Sequence, residues 1–179
     1  MSEYIPRLQE AIASAMRGMT REEMLREREG KWSIAQILEH LYLTYTGTVR
    51  GCERALDTKN PLVTSQTPAQ RLKALLIITL GHFPHGIKAP RQVRPKGIPA
   101  DQVTSDIQRQ IAVMEESLSR CERQLGKHKK LFNHPVLGAL TGEQWRKLHW
   151  LHGCHHVRQI VDLREQYAKK EKAPAAAGA

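Results

Sequence analysis

The stretch Trp150-Leu-His-Gly-Cys-His-His-Val-Arg-Gln-Ile160 puts three histidines, His152, His155 and His156, into five residues. On a helical wheel of about 100° per residue with Trp145 as zero, Leu148, His149, His152, His156, Gln159, Ile160 and Leu163 all fall within roughly 60°. These histidines therefore share the apolar stripe of a helix, while His155 lies about 80° away, toward the rim. A core imidazole needs both ring nitrogens satisfied, because an unpaired buried polar group costs about 1–3 kcal/mol. Two of them, one turn apart, double that demand.

His152 and His156 are spaced i and i+4, at which neighbouring side chains of one helix can converge on a single ion. Position 153 is Gly, so the Glu of an HExxH protease motif is missing and a zincin-type site is disfavoured. Cys154, two residues on from His152, faces nearly the opposite way and is excluded as a ligand. A third ligand has to come from another helix, and His40 is the candidate. Three neutral imidazoles would leave one coordination place for water or substrate, and nitrogen ligands suit Zn or Ni before Fe or Co. The same pair is also what two hydrogen-bonded packing histidines would look like, and periodicity alone leaves that alternative open.

Working outward, Ile5, Leu8, Ile12, Ala15, Met16 and Met19 predict an amphipathic helix ending near Gly18. Thr20-Arg-Glu-Glu23 and Ser33-Ile-Ala-Gln36 have the form of capping boxes, the first opening a short piece that stops at Gly30, the second a long helix to about Leu56 that carries His40. Asp57 to Thr67 reads as a loop. Leu72 to Leu80 is apolar without a face, which predicts a short buried segment. From His82 to Pro99, four prolines and two glycines, with Gly81 just ahead, predict irregular structure, either a functional loop or an ordinary crossover. Val103, Ile107, Ile111, Met114, Leu118, Cys121 and Leu125 step by three and four, marking the third long helix. Lys127 to Leu140 reads as a connection holding His134-Pro135. Thr141-Gly-Glu-Gln144 then caps the last helix, which runs to about Lys169.

The expected fold is thus all-α: an antiparallel four-helix bundle with long crossover connections, residues 1–170 forming one domain and 171–179 a disordered tail. Aromatics at 5% and a chain of 179 residues agree with one helical core. The net charge of +10 is scattered, with its densest runs at His128-Lys129-Lys130 and Lys169-Lys170-Glu171-Lys172, and no stacking aromatics are interleaved. Nucleic acid is therefore not the expected partner. Cys52, Cys121 and Cys154 are odd in number and widely spaced, so neither a disulfide framework nor a zinc ribbon is indicated. Together with the absence of a long apolar run, they predict a soluble cytoplasmic protein without a membrane partner. A second apolar strip on the last helix, Trp150, Cys154, Val157 and Val161, marks it as central or as a subunit contact, and predicts a homodimer.

Two segments, Lys31-Trp-Ser-Ile-Ala-Gln-Ile-Leu-Glu-His40-Leu41 and His152-Gly-Cys-His-His156-Val-Arg-Gln159-Ile160, resemble the DinB-like superfamily of metal-binding four-helix bundles. The first is similar to that family's "WS…EHL" helix entry and the second to its "HxxHHxRQ" helix. Asn133-His-Pro-Val-Leu-Gly-Ala-Leu-Thr-Gly-Glu-Gln-Trp145 resembles the "HPxxGxL…EQW" lead-in of an uncharacterised branch. The resemblance implies that His40, His152 and His156 form a three-histidine metal site. It also implies a kinship with thiol-dependent S-transferases, in which a low-molecular-weight thiol bound at the metal becomes a thiolate nucleophile.

Three functions follow as expectations. One is a metal-dependent enzyme of the thiol S-transferase or hydrolase type acting on a small-molecule substrate, with His149, His155, Arg158 and Gln159 near the site and Lys88, Arg91 and Arg94 of the Pro-rich loop receiving an anionic cosubstrate. The second is a metal-stabilised binding or stress-response module without turnover. The third, a nucleic-acid binder, rests on charge alone.

Overall fold

In the computed structural model, which describes residues 2–27, 29–81 and 89–172, reciprocal capping boxes decide where several helices begin. Thr20 pairs with Glu23, Ser33 with Gln36, Thr67 with Gln70 and Thr141 with Gln144, each side chain closing on the other's backbone amide. The helices so defined are α1 (Tyr4–Met16), α2 (Arg21–Leu25), α3 (Ile34–Asp57), α4 (Pro68–Ala74), α5 (Ala100–Leu125) and α6 (Gly142–Lys172). The expected boundaries of the long helices hold to within a few residues. The tail expected over 171–179 lies, from 173 onward, outside the described residues.

The long helices α1, α3, α5 and α6 form the four-helix bundle around one core. Ile5, Leu8 and Ile12 of α1 meet Ile34, Leu38, Leu41 and Tyr45 of α3, Ile107, Ile111, Met114 and Leu118 of α5, and Ile160 and Leu163 of α6, all buried. Chain direction can be read from paired contacts. Glu39 of α3 takes the amides just ahead of α5, and Cys121 near the end of α5 donates to the Cys52 carbonyl, so α3 and α5 run parallel. The connection from residue 58 to 99 is the crossover that this requires. α6 runs antiparallel to α3, since His152 meets His40 while the earlier His149 meets the later Thr48.

α4 passes into a π-helical turn, Leu75–Thr79, and this segment differs from expectation. Ile77 and Ile78 are buried, but Leu72, Leu75 and Leu80 are exposed, at 58%, 54% and 68%. A continuous apolar run gives no preferred face, and here only one side of it meets the bundle. The connection after α5 also holds more than was expected, a two-stranded antiparallel hairpin of β1 (Lys130–His134) and β2 (Gly138–Thr141). Its three-residue turn, Pro135 to Leu137, closes on Gly138 at φ +72°, the left-handed position such hairpins need. Leu131, Phe132, Leu137 and Leu140 are buried, which ties the hairpin to the core.

The second apolar strip of α6 faces α1. Trp150 and Val157 pack against the core, and the Arg7 guanidinium lies 4.6 Å over the Trp150 ring. At Gly153 a Cβ would run into the Leu8 side chain, so glycine permits the close approach of α1. Trp150, Cys154 and Val157 of the strip are half-buried, whereas Val161 is 40% exposed. Among the described residues, no helix is long and apolar enough to cross a membrane.

Candidate metal centre

His40 sits in the second turn of α3, and His152 and His156 one turn apart in the middle of α6, where the two helices cross. The structure brings the three imidazoles together: His152 Nε2 lies 3.2 Å from His40 Nε2 and 3.0 Å from His156 Nε2, and one ligand atom from each ring falls within 4.8 Å of the others. Metal–nitrogen bonds of about 2.0–2.1 Å in a tetrahedron require ring nitrogens about 3.3–3.4 Å apart. The observed separations are close to that spacing, so the donor set fits a divalent ion. Cys154, half-buried on the side facing α1, stays out of the group, as its place on the wheel required.

The outer nitrogens fix the tautomers. His40 Nδ1 donates to the Val93 carbonyl at 2.7 Å, and His156 Nδ1 donates to Gln159 Oε1 at 2.8 Å. In the neutral rings both Nε2 atoms are therefore acceptors, aimed at a third nitrogen that can carry at most one proton. Burial lowers the pKa of His40, against the Val93 hydrogen bond that raises it. His156 is pushed down to about 3, first by burial and then by His40. His152 is held well below the usual histidine value by burial and by the charges its two neighbours would carry. Neutral imidazoles with inward lone pairs are what metal binding demands.

The supports of this geometry come from two places. Val93 ends a short 3₁₀ turn, Arg91–Val93, in the crossover, and that segment is fastened to α3 by Glu39. The Glu39 carboxylate is buried and accepts the amides of Lys96 and Gly97 at 2.6 and 3.2 Å. Residues 39 and 40 thus act together: one holds the loop and the other uses its carbonyl. Trp32, just ahead of the α3 cap, lays its ring 5.1 Å from that of His40. Gln159 is fixed in turn by donating to His155 Nε2 at 3.2 Å. Neither Glu39 nor Val93 was singled out from the sequence, where only the adjacency of Glu39 to His40 hinted at a role.

The three rings open on a cavity of about 960 Å³, in the range of small-molecule sites. Its α3 wall is made by His40, Thr44, Gly47, Thr48 and Gly51, small residues beyond the histidine at helical spacing, which is why space remains there. Phe132, His134 and Trp145 close the far end, and Arg50, Glu53, Arg54 and Asp57 bring both signs of charge to the α3 side. His149 is fully buried with Nε2 2.9 Å from Thr48 Oγ1; burial, and then His134, push its pKa down to about 3. Arg158, Arg91 and Arg94 are exposed and do not line the cavity, and Arg94 Nε donates to the Ala89 carbonyl. Lys88, grouped with them as an anion contact, lies outside the described residues.

The family model described as "Protein of unknown function (DUF1569)" matches residues 2–163. Among solved structures, the chain is similar to YfiT from Bacillus subtilis, described as a probable metal-dependent hydrolase with an unusual four-helix bundle topology. The TM-score is 0.51 and the identity 20%, covering 93% of this chain and 86% of that one, a likeness of fold. No curated protein sequence matches the chain at a significant level.

Proposed function

We propose that this chain, which belongs to the DUF1569 family of proteins of unknown function, is a divalent-metal-dependent hydrolase of small molecules with His40, His152 and His156 as its ligands. The observation that carries the reading is the convergence of three neutral imidazoles, with inward ring nitrogens 3.0 and 3.2 Å apart, at the wall of a cavity large enough for a substrate. Its resemblance to the DinB-like superfamily and the description of YfiT support the same class.

A divalent ion at such a site supplies Lewis acidity, lowering the pKa of water to about 7 and polarising a substrate oxygen. The chain's own part is to hold the ligands and shape the cavity. Val93 and Gln159 keep His40 and His156 in the tautomer that turns Nε2 inward. Three protein ligands leave a coordination place open, the arrangement of reactive rather than purely structural sites. Zn or Ni fits an all-imidazole set.

Chelator-stripped protein titrated with Zn²⁺ or Ni²⁺ is expected to take up one ion per chain, and His152→Ala none, by calorimetry and elemental analysis. Equal uptake by both proteins would overturn the ligand assignment. The metal-loaded protein is then screened on ester, amide and phosphoester substrates. Hydrolysis that vanishes with the metal supports the reading; turnover only with an added low-molecular-weight thiol would transfer the site to S-transfer chemistry.

A further inference from the structure

His134 stands at the end of β1, at the far end of the cavity from the metal ligands. Its Nδ1 accepts two backbone hydrogen bonds, from Val136 N at 3.1 Å and Leu137 N at 3.2 Å, in the turn it precedes. A nitrogen that accepts cannot carry the proton, so in the neutral ring the proton sits on Nε2. Among the described residues no protein group accepts from that Nε2–H. The half-buried ring lies 5.5 Å from Trp145 and lines the same cavity as His152 and His156. Trp145 precedes His152 by seven residues of α6, which spans roughly 10 Å. His134 thus carries an N–H without a protein acceptor at the cavity wall, beside Trp145, whose backbone lies about two helical turns from that of His152.

We infer that His134 is a substrate-recognition residue whose Nε2–H binds an acceptor oxygen at the end of the substrate remote from the reacting group. The substrate class is then a small molecule of roughly 10 Å reach, with its hydrolysable bond at the histidine triad and a carbonyl, carboxylate or phosphoryl oxygen at the other end. Burial, which pushes the His134 pKa down to about 4, agrees with a ring that stays neutral at pH 7. The inference rests on the hydrolase reading for where the substrate lies, though not for the state of the ring. Remote contacts of this kind position a substrate and set specificity rather than perform chemistry.

The first test is the ring itself. In ¹⁵N-labelled, chelator-stripped protein at pH 7, two-bond nitrogen–proton correlation is expected to show His134 with Nε2 protonated and Nδ1 bare. A protonated Nδ1 or a cationic ring overturns the inference whatever the metal centre does. The second is titration of the stripped and zinc-loaded proteins with acetate, N-methylacetamide and methyl phosphate. The His134 Nε2–H resonance is expected to move with at least one of them, and the one that moves it identifies the oxygen. His134→Asn retains an oxygen able to accept from both turn amides and lacks the reach of Nε2. It should bind that probe roughly tenfold more weakly while taking up zinc as before. No movement with any probe in wild type, or equal affinity in the variant, overturns the assignment. Failure of zinc to bind wild type would remove the parent reading and leave the tautomer and stripped-protein titrations to judge His134 alone.

Discussion

Two buried polar clusters hang from the same helix, and they are built on opposite plans. On the face of α6 toward α5, Arg146 is 4% exposed and its donors end on protein: Nε on both oxygens of Glu115 at 3.0 and 2.8 Å, Nη1 on Glu122 at 2.9 Å, and Nη2 on Ser119 at 3.1 Å. On the face toward α3, His40, His152 and His156 point nitrogen at nitrogen. The first cluster is closed, one cation held between two carboxylates and donor matched to acceptor. In the second, the outer nitrogens of His40 and His156 are satisfied, and the inner edge carries lone pairs with at most one proton to share among them in the neutral rings. Burial is common to both, so burial does not identify a functional site. What separates them is whether the polar atoms are complete without a guest.

The largest effect is expected where the closed cluster is opened. Arg146→Ala leaves Glu115 and Glu122 facing each other without their cation, which should lower unfolding free energy by about 3–5 kcal/mol. Urea titration of metal-free protein measures it. Replacing all three, as Arg146→Met with Glu115→Gln and Glu122→Gln, should recover much of that loss, because an uncompensated charge no longer remains. If Arg146→Ala costs less than about 1 kcal/mol, the cluster is as solvated as a surface pair and the contrast with the histidines fails.

The complementary change touches the outer edge of the open cluster. Glu39→Ala frees the amides of Lys96 and Gly97, and with them the loop that presents the Val93 carbonyl to His40. Metal affinity is expected to fall 10- to 100-fold, the usual cost of losing an outer support. One-ion stoichiometry should persist, since all three imidazoles remain. Unchanged affinity would mean that packing by Trp32 alone holds the His40 ring.

This pair of clusters also shows what the sequence could carry. His152 and His156 were readable because i, i+4 spacing is a local property of a helix, and His40 because a bundle has few ways to lay one apolar stripe on another. The capping boxes at Thr20, Ser33 and Thr141 were readable for the same local reason. Thr67-Pro-Ala-Gln70 carries the same signal, at the end of a stretch that reads as a loop. The roles of Val93 and Glu39 were hidden, because they exist only after a 42-residue crossover returns to the start of α3. Arg146 and its carboxylates were equally silent, being joined across the hairpin by contacts 24 to 31 residues apart. The hairpin had no alternation to announce it: its buried residues come in adjacent pairs, Leu131 with Phe132 and Ala139 with Leu140. The exposed leucines of α4 and the turn after it mark the opposite limit, a run so uniformly apolar that it names no face.

The smallest expected effect gives the finest test of closure. Ser119 accepts from Arg146 Nη2 and donates to Glu115 Oε1 at 3.0 Å, so it stands inside the closed cluster as a neutral link. In Ser119→Ala, Arg146 keeps both carboxylates and Glu115 keeps the guanidinium Nε on each of its oxygens. The charges therefore stay paired, and the loss should be near that of an ordinary hydrogen bond, about 1 kcal/mol. Combining Ser119→Ala with Arg146→Ala should then cost less than the two changes summed, because the Arg146 Nη2–Ser119 bond is already lost and only the Ser119–Glu115 bond is left to remove. A double-mutant cycle in urea measures that coupling. Full additivity would mean that Ser119 acts outside the cluster, and that Arg146 is held by its two carboxylates alone.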